Sequence, residues 1–194
     1  EPLSAFFGLQ QDGLTENGLF NYVDQNGDGR INNDDRVILG NPYPDFIYGL
    51  TMNFNYKAFS LSTLIQGEAG KEVWNANKER GAISMHRGFN QLESVVNRWS
   101  SENPDPNAPF PKTTSSLNVS PSSFFVEDAS FLRINNVRLS YDLPVASLNI
   151  PLRSAVVYLS GQNLVTITDY SWFTPDVNSF SSNDLRIGVD RGSF

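Results

Sequence analysis

From Phe46 to Tyr56 every even position is apolar or aromatic: Phe46, Tyr48, Leu50, Met52, Phe54 and Tyr56, with Gly49, Thr51, Asn53, Asn55 and Lys57 falling between. Successive side chains of a strand point to opposite faces, so this run predicts one long strand with an apolar and a polar side. After a turn of very few residues at Tyr56–Ala58 the alternation resumes as Phe59, Leu61, Thr63 and Ile65, which makes the pair a hairpin. The first strand has about the ~9–11 residues that a tilted membrane strand requires. Its apolar face carries Phe and Tyr at both ends around Leu50 and Met52, the order of two aromatic girdles flanking a lipid band. A soluble β-sandwich strand with its inner face buried gives the same alternation, and the strand alone does not separate the two.

Two further strands are expected, over Ser130–Tyr141 and Ala155–Ile167, with Leu143-Pro144 and Pro151 bracketing their connection. Residues 1–23 read as short extended pieces broken by turns. Residues 68–128 read as a long irregular stretch holding one helix, Phe89–Trp99, and the proline-rich tract NPDPNAPFPK at 103–112. The tail from Asp169 shows no further strand. Four long strands with short connections at one end and long ones at the other match the asymmetry of outer-membrane barrels, whose turns are short on one side and whose loops are long on the other.

Composition removes other classes. A formal charge of -7 repels a phosphate backbone, which argues against nucleic-acid binding and against a polybasic membrane patch. With no cysteine, disulfides, thiolate metal sites and cysteine nucleophiles are excluded. No apolar run approaches the ~18 residues of a spanning helix, which leaves spanning strands open. The first ten residues, EPLSAFFGLQ, show no signal peptide.

Residues 24–35, DQNGDGRINNDD, fit a twelve-residue calcium loop, in which a hard cation takes oxygen ligands at fixed positions around a sharp glycine turn. Asp24, Asn26 and Asp28 occupy the first three ligand positions, Gly29 the turn, Arg30 offers its backbone carbonyl, Asn32 binds directly or through water, and Asp35 closes the loop. A short Asp at the last position, with no helical flanks, points to a structural Ca²⁺ and not to a switch. A metal-free Asn/Gly/Asp turn is the alternative.

Other chemistry is thin. His86 has no visible partner for metal or acid–base work and reads as a loop residue. Glu127-Asp128 are neighbours on an extended chain and face opposite ways, which disqualifies them as a glycosidase pair. Asn118-Val119-Ser120 matches a glycosylation acceptor on three residues only. Trp74, Trp99 and Trp172 fall in loops or near strand ends, where they either pack locally or stack on a sugar or partner.

Five strings together resemble a known family: DQNGDGRINNDDRVILGNPYPDFIYGL (24–50), RWSSENPDPNAPFPK (98–112), SFFVEDASFLRINNVRLSYDLP (123–144), YLSGQNLVTITDYSWFTPDV (158–177) and GVDRGSF (188–194). In order and spacing they are similar to the C-terminal part of SusC/RagA-type TonB-dependent outer-membrane transporters. The resemblance implies an all-β fold: antiparallel transmembrane strands of a plugged barrel of about 22 strands, with long external loops. It implies a Gram-negative, Bacteroidota-type outer membrane, import of glycans or peptides, a SusD-like surface lipoprotein as partner, and energy from TonB through a plug absent from these residues. It also implies that the whole of 1–194 is one barrel portion, stopping short of one last strand, and that the chain is not an enzyme. A secreted, calcium-stabilised β-module that binds carbohydrate or protein is the rival reading; a glycan-cleaving enzyme is a second.

Overall fold

A computed structural model describes residues 4–83, 91–113, 119–147, 151–177 and 188–190. In chain order the strands are β1 (Phe6–Leu9), β2 (Gln11–Leu14), β3 (Phe20–Tyr22), β4 (Arg36–Gly40), β5 (Phe46–Tyr56), β6 (Phe59–Ala69), β7 (Glu72–Asn75), β8 (Val126–Asp128), β9 (Phe131–Asp142), β10 (Val156–Thr168) and β11 (Val189–Asp190). They sort into two units: Glu1–Tyr43 with Glu72–Asp128 and Ser171–Phe194, and Pro44–Lys71 with Ala129–Tyr170.

The second unit is a single antiparallel sheet of the four long strands, in the order β10-β9-β6-β5. The expected hairpin is present, with β5 and β6 in register from Tyr56↔Phe59 to Phe46↔Ala69. Two residues, Lys57 and Ala58, make the turn, and Lys57 takes the positive φ of +53° that a two-residue hairpin loop demands. The Asp142 N–H closes it from β9 by donating to the Ala58 carbonyl at 2.8 Å.

Register slips once along each of the next two pairings. Leu64 and Ile65 of β6 face Asn136 and Ile134 of β9, so β9 carries one extra residue, and Gln162 and Val165 of β10 face the same two, so β10 carries one more again. An added residue sharpens the local twist and bends the strand that holds it. Asn163, inside the β10 bulge, takes a positive φ of +49°.

The other unit is built from short pieces. Antiparallel pairs join β1 to β4 and β2 to β3, while β7 lies between β8, antiparallel, and β11, parallel. Most of the buried apolar side chains belong to this unit: Phe6, Leu9, Leu14, Val73, Ala82, Ile83, Val95 and Phe125. Aromatic rings continue the core. Trp74 lies 6.0 Å from Phe6 and 5.2 Å from Phe125, and Phe124 lies 4.9 Å from Phe20 and 6.2 Å from Phe110. The proline-rich tract is stitched to the first residues of the chain, with Leu14 N–H donating to the Pro106 carbonyl at 3.0 Å and Lys112 N–H to the Gly18 carbonyl at 2.9 Å. Trp99 covers Gly18, where a Cβ would stand 2.3 Å from the indole.

Several expectations are corrected here. The helix over Phe89–Trp99 is instead a single 3-10 turn, Glu93–Asn97; adjacent β-branched Val95 and Val96 disfavour a longer helix, and one turn suffices to bury Val95. His86 and Phe89 lie outside the described residues, as does Asn118. The stretch 68–128 is not wholly irregular, since β6 runs on to Ala69 and β7, a π-turn at Glu79–Ile83 and β8 follow. The tail contains the two-residue β11, and the strands placed at Ser130–Tyr141 and Ala155–Ile167 each sit one residue later.

Candidate functional site

Register turns the alternation of one strand into a property of the whole sheet. The even residues of β5 pair across to Phe59, Leu61, Thr63, Ile65, Gly67 and Ala69 of β6, then to Leu132, Ile134, Val137, Leu139 and Tyr141 of β9, and then to Val157, Leu159, Gly161, Val165 and Ile167 of β10. This face is apolar from edge to edge and lies open: Leu50, Phe54, Leu139, Val157, Leu159 and Ile167 are all exposed, Leu159 by 76%. At the hairpin end Tyr56, Phe59 and Tyr141 gather, the last two with ring centroids 4.6 Å apart. At the other end β5 supplies Phe46 and Tyr48. The Tyr48 ring lies over Gly67, where a Cβ would come within 2.5 Å of it, and its hydroxyl donates to the Phe131 carbonyl at 3.1 Å.

The opposite face carries Thr51, Asn53 and Asn55 of β5, Ser60, Ser62, Gln66 and Glu68 of β6, Arg133, Asn136, Arg138 and Ser140 of β9, and Tyr158, Ser160, Gln162 and Thr166 of β10. Here polar side chains meet one another. Arg133 Nε donates to Thr166 Oγ1 at 2.8 Å, and the Arg138 guanidinium stands 4.2 Å from the centre of the Tyr158 ring. Sequence reading missed this arginine pair, because residues five apart on a regular strand face opposite ways.

The Asp24–Asp35 loop folds on its own amides. Asp24 accepts from the N–H groups of Gly27 and Gly29, both at 2.7 Å; Asn26 Oδ1 accepts from Asp28 at 2.9 Å; Asp28 Oδ1 accepts from Arg30 at 2.8 Å; Asn32 Oδ1 accepts from Asp34 at 2.7 Å. Gly27 and Gly29 take the positive φ angles, 74° and 78°, that such turns require, and a Cβ built on either would meet nothing within 4 Å. Asp35 is fully buried and accepts from Gln25 and Asn32 N–H groups at 2.9 and 2.8 Å, closing a capping box on the 3-10 turn Asn33–Asp35. The Asn32 N–H, ahead of the opposing effect of burial, holds the Asp35 carboxyl below the usual carboxylate range, and the Asp24 carboxyl adjoins it. Among the described residues no three His, Cys, Asp or Glu side chains converge at metal-binding distance, so the loop draws two carboxyls together and turns Asp28 onto its own backbone.

A third constellation centres on Glu127 in β8. Its Oε1 accepts from Lys78 Nζ at 2.8 Å, Asn75 Nδ2 at 3.0 Å and Ser171 Oγ at 2.9 Å; its Oε2 accepts from the Ser171 N–H at 2.9 Å. Lys78 also donates to the Phe124 carbonyl at 2.8 Å. Burial pushes the Glu127 carboxyl up, and the Lys78 ammonium with the two Ser171 donors more than offsets it, so it stays below the usual glutamate range.

No helix among the described residues is long and apolar enough to cross a membrane, which says nothing of strands. No family model matches the chain. The TonB-dependent receptor P26 of Formosa agariphila is 36% identical over 177 residues, covering 89% of this chain and 18% of that protein. The TonB-dependent receptor SusC of Bacteroides thetaiotaomicron is 27% identical over 166 residues, covering 81% of this chain and 15% of that one. The chain thus spans about a fifth of the length of the curated relatives it matches. Among solved structures, the RagAB peptide transporter superposes with a TM-score of 0.74 at 23% identity over 96% of this chain and 20% of the other, a likeness that carries the fold. The four long strands are antiparallel strands of that β-barrel. Over the residues it spans, the chain belongs to the SusC/RagA-type TonB-dependent receptors.

Proposed function

We propose that these residues form the C-terminal part of an outer-membrane TonB-dependent importer of glycans or peptides, working with a SusD-like surface lipoprotein and driven by TonB through a plug elsewhere in the protein. The role is non-catalytic. One observation carries the reading: a four-stranded sheet open on both sides, apolar on one face and polar on the other. A continuous exposed apolar face is untenable in water and correct against lipid, while the polar face suits an aqueous interior. SusC supports the outer-membrane assignment by its family, and the solved relative is by its title a peptide transporter. In this reading the Lys57-Ala58 turn and the connection 143–155 are periplasmic. The Asp24–Asp35 loop, the residues between β6 and β9 and the stretch after Asp169 are external. The test is energised uptake by cells carrying the full-length protein. Accumulation of peptides or oligosaccharides that stops when TonB is deleted, with the protein in the outer-membrane fraction, is expected; TonB-independent uptake or a water-soluble protein overturns it.

We also propose that residues 24–35 hold one structural Ca²⁺, through side-chain oxygens of Asp24, Asn26, Asp28 and Asp35 and the Arg30 carbonyl, with Asn32 direct or through water. The donors are all hard oxygens, the glycine turn is formed, and the loop brings the Asp24 carboxyl beside that of Asp35. Calorimetry of the full-length protein with CaCl₂ is expected to show one site per chain, removed by Asp24→Asn, together with a higher unfolding midpoint. Absence of both binding heat and stabilisation would sink the idea.

A further inference from the structure

Three glycines interrupt the long strands: Gly49 in β5, Gly67 in β6 and Gly161 in β10. A glycine inside a strand gives up side-chain packing and costs backbone entropy, so each needs a reason. Two have one. A Cβ at Gly67 would stand 2.2 Å from the Phe131 carbonyl oxygen and 2.4 Å from the Tyr48 hydroxyl, and one at Gly161 would stand 2.6 Å from Leu164 Cδ2. Gly49 has no positive φ, and the nearest atom to its Cβ position is the Ile65 carbonyl oxygen, at an ordinary 3.9 Å. What this glycine leaves on the sheet is room, and a strand glycine of that kind marks a place where a ligand comes close.

The room belongs to a hollow of about 320 Å³ on the polar face, whose walls include Ile47, Gly49, Leu64, Gln66, Glu68 and Phe131. Such a volume stands at the small end of ligand sites, about 300–1,000 Å³, and the walls are of the usual kind, mostly apolar with a few polar groups. Ile47, two residues before Gly49, is 75% exposed, and Leu64 lies diagonal to Gly49 on β6. Gln66 pairs directly with Gly49, and its side-chain amide bonds to none of the described residues. Glu68 Oε2 is held by Lys71 Nζ at 2.9 Å. An open amide beside an apolar hollow matches one repeat of an extended peptide: a side chain for the hollow, and a backbone N–H and C=O for the amide oxygen and nitrogen. A sugar ring suits it poorly, since hydroxyls turned onto Ile47, Leu64 and Phe131 would be buried without partners.

We propose that this hollow is a side-chain subsite for extended peptides, taking one apolar residue such as leucine over Gly49 while the Gln66 amide pairs with the peptide backbone. The proposal rests on reading the polar face as the interior of an importer, and it narrows the solute to peptides that carry an apolar residue. Gly49 determines the specificity, because any side chain there would occupy the subsite.

The test is equilibrium binding of two fluorescein-labelled hexaserine peptides, one with a central Ser replaced by Leu, to the purified full-length protein. The wild type is expected to favour the Leu peptide by roughly tenfold or more, the value of burying one leucine side chain. Gly49→Val fills the hollow with a side chain that meets no atom of the sheet at close range, and it should abolish that preference while leaving affinity for the Ser peptide unchanged. Gly49→Ala, which fills less of it, should retain part. Gln66→Ala should weaken both peptides by a similar factor, since the backbone is common to them. Heat-modifiable gel mobility reads whether each variant is folded. Equal affinity of the wild type for both peptides, or a full Leu preference in Gly49→Val, overturns the proposal. Misassembly of Gly49→Val also overturns it, because the space would then be filled by the protein itself, and unchanged binding in Gln66→Ala overturns the backbone pairing. Binding needs no TonB, so a protein that prefers the Leu peptide through Gly49 but does not import it would refute the transport reading and leave this site standing.

Discussion

Glu127 takes its donors from residues far apart in the chain, Asn75 and Lys78 on one side and Ser171 on the other. A carboxylate with several donors and little solvent is costly to protonate, which is why its proton affinity is depressed although burial alone would raise it. The sign follows. A carboxyl that binds its proton less well folded than unfolded stabilises the fold above the unfolded pKa, and that contribution disappears as pH falls through the lower folded value. Resistance of residues 72–128 to proteolysis in the full-length protein should therefore hold at neutral pH and drop once pH passes below the ordinary glutamate range. In Glu127→Gln that acid sensitivity should be blunted. Glu127→Ala strands the largely buried Lys78 ammonium and should cost roughly 2–4 kcal/mol in unfolding. Adjacent Glu127 and Asp128 pointed away from a catalytic pair on sequence grounds, but nothing in the sequence showed that Ser171 would return to Glu127. A contact across 44 positions leaves no local periodicity to read.

Long strands announced themselves and short ones did not. Six apolar positions in step make β5 legible, and the register of β6, β9 and β10 follows from matching like face to like face. β4, β7 and β8 have three to five residues each, too few alternations to rise above the surrounding turns. Bulges were equally hidden, because one added residue leaves the composition of β9 unchanged and only inverts which face each later side chain joins. The facing of β5 makes a direct prediction. Leu50 is 54% exposed on the apolar side and Thr51 lies on the polar side. Leu50→Arg should cost about 2–4 kcal/mol near the bilayer midplane and impair assembly, whereas Thr51→Arg should assemble normally. Heat-modifiable mobility of the full-length protein in outer-membrane fractions reads both; normal assembly of Leu50→Arg would reverse the faces.

At the scale of the whole molecule, the connection between β6 and β9 is the most informative feature. A loop of such length costs closure entropy and stays ordered only by packing. The structure places Trp74, Trp99 and Phe110 of this connection against aromatic or glycine partners from the first 25 residues or from 124–125. The segment is thus one part of a folded unit that also takes in residues before β5 and after β10, and its buried side chains are not those of the four-stranded sheet. Deleting residues 75–95 would remove Lys78, Ala82, Ile83 and Val95 and leave every residue of β5, β6, β9 and β10 in place. The barrel should then still assemble, as read by heat-modifiable mobility. The remainder of the first unit should become protease-sensitive, and, since we propose that this external connection meets the lipoprotein or solute, uptake should fall. Failure of the barrel to form would show that the sheet needs this core in order to fold. Unchanged uptake and lipoprotein co-purification would show that the long connection only packs, and its proposed role in capture would be wrong.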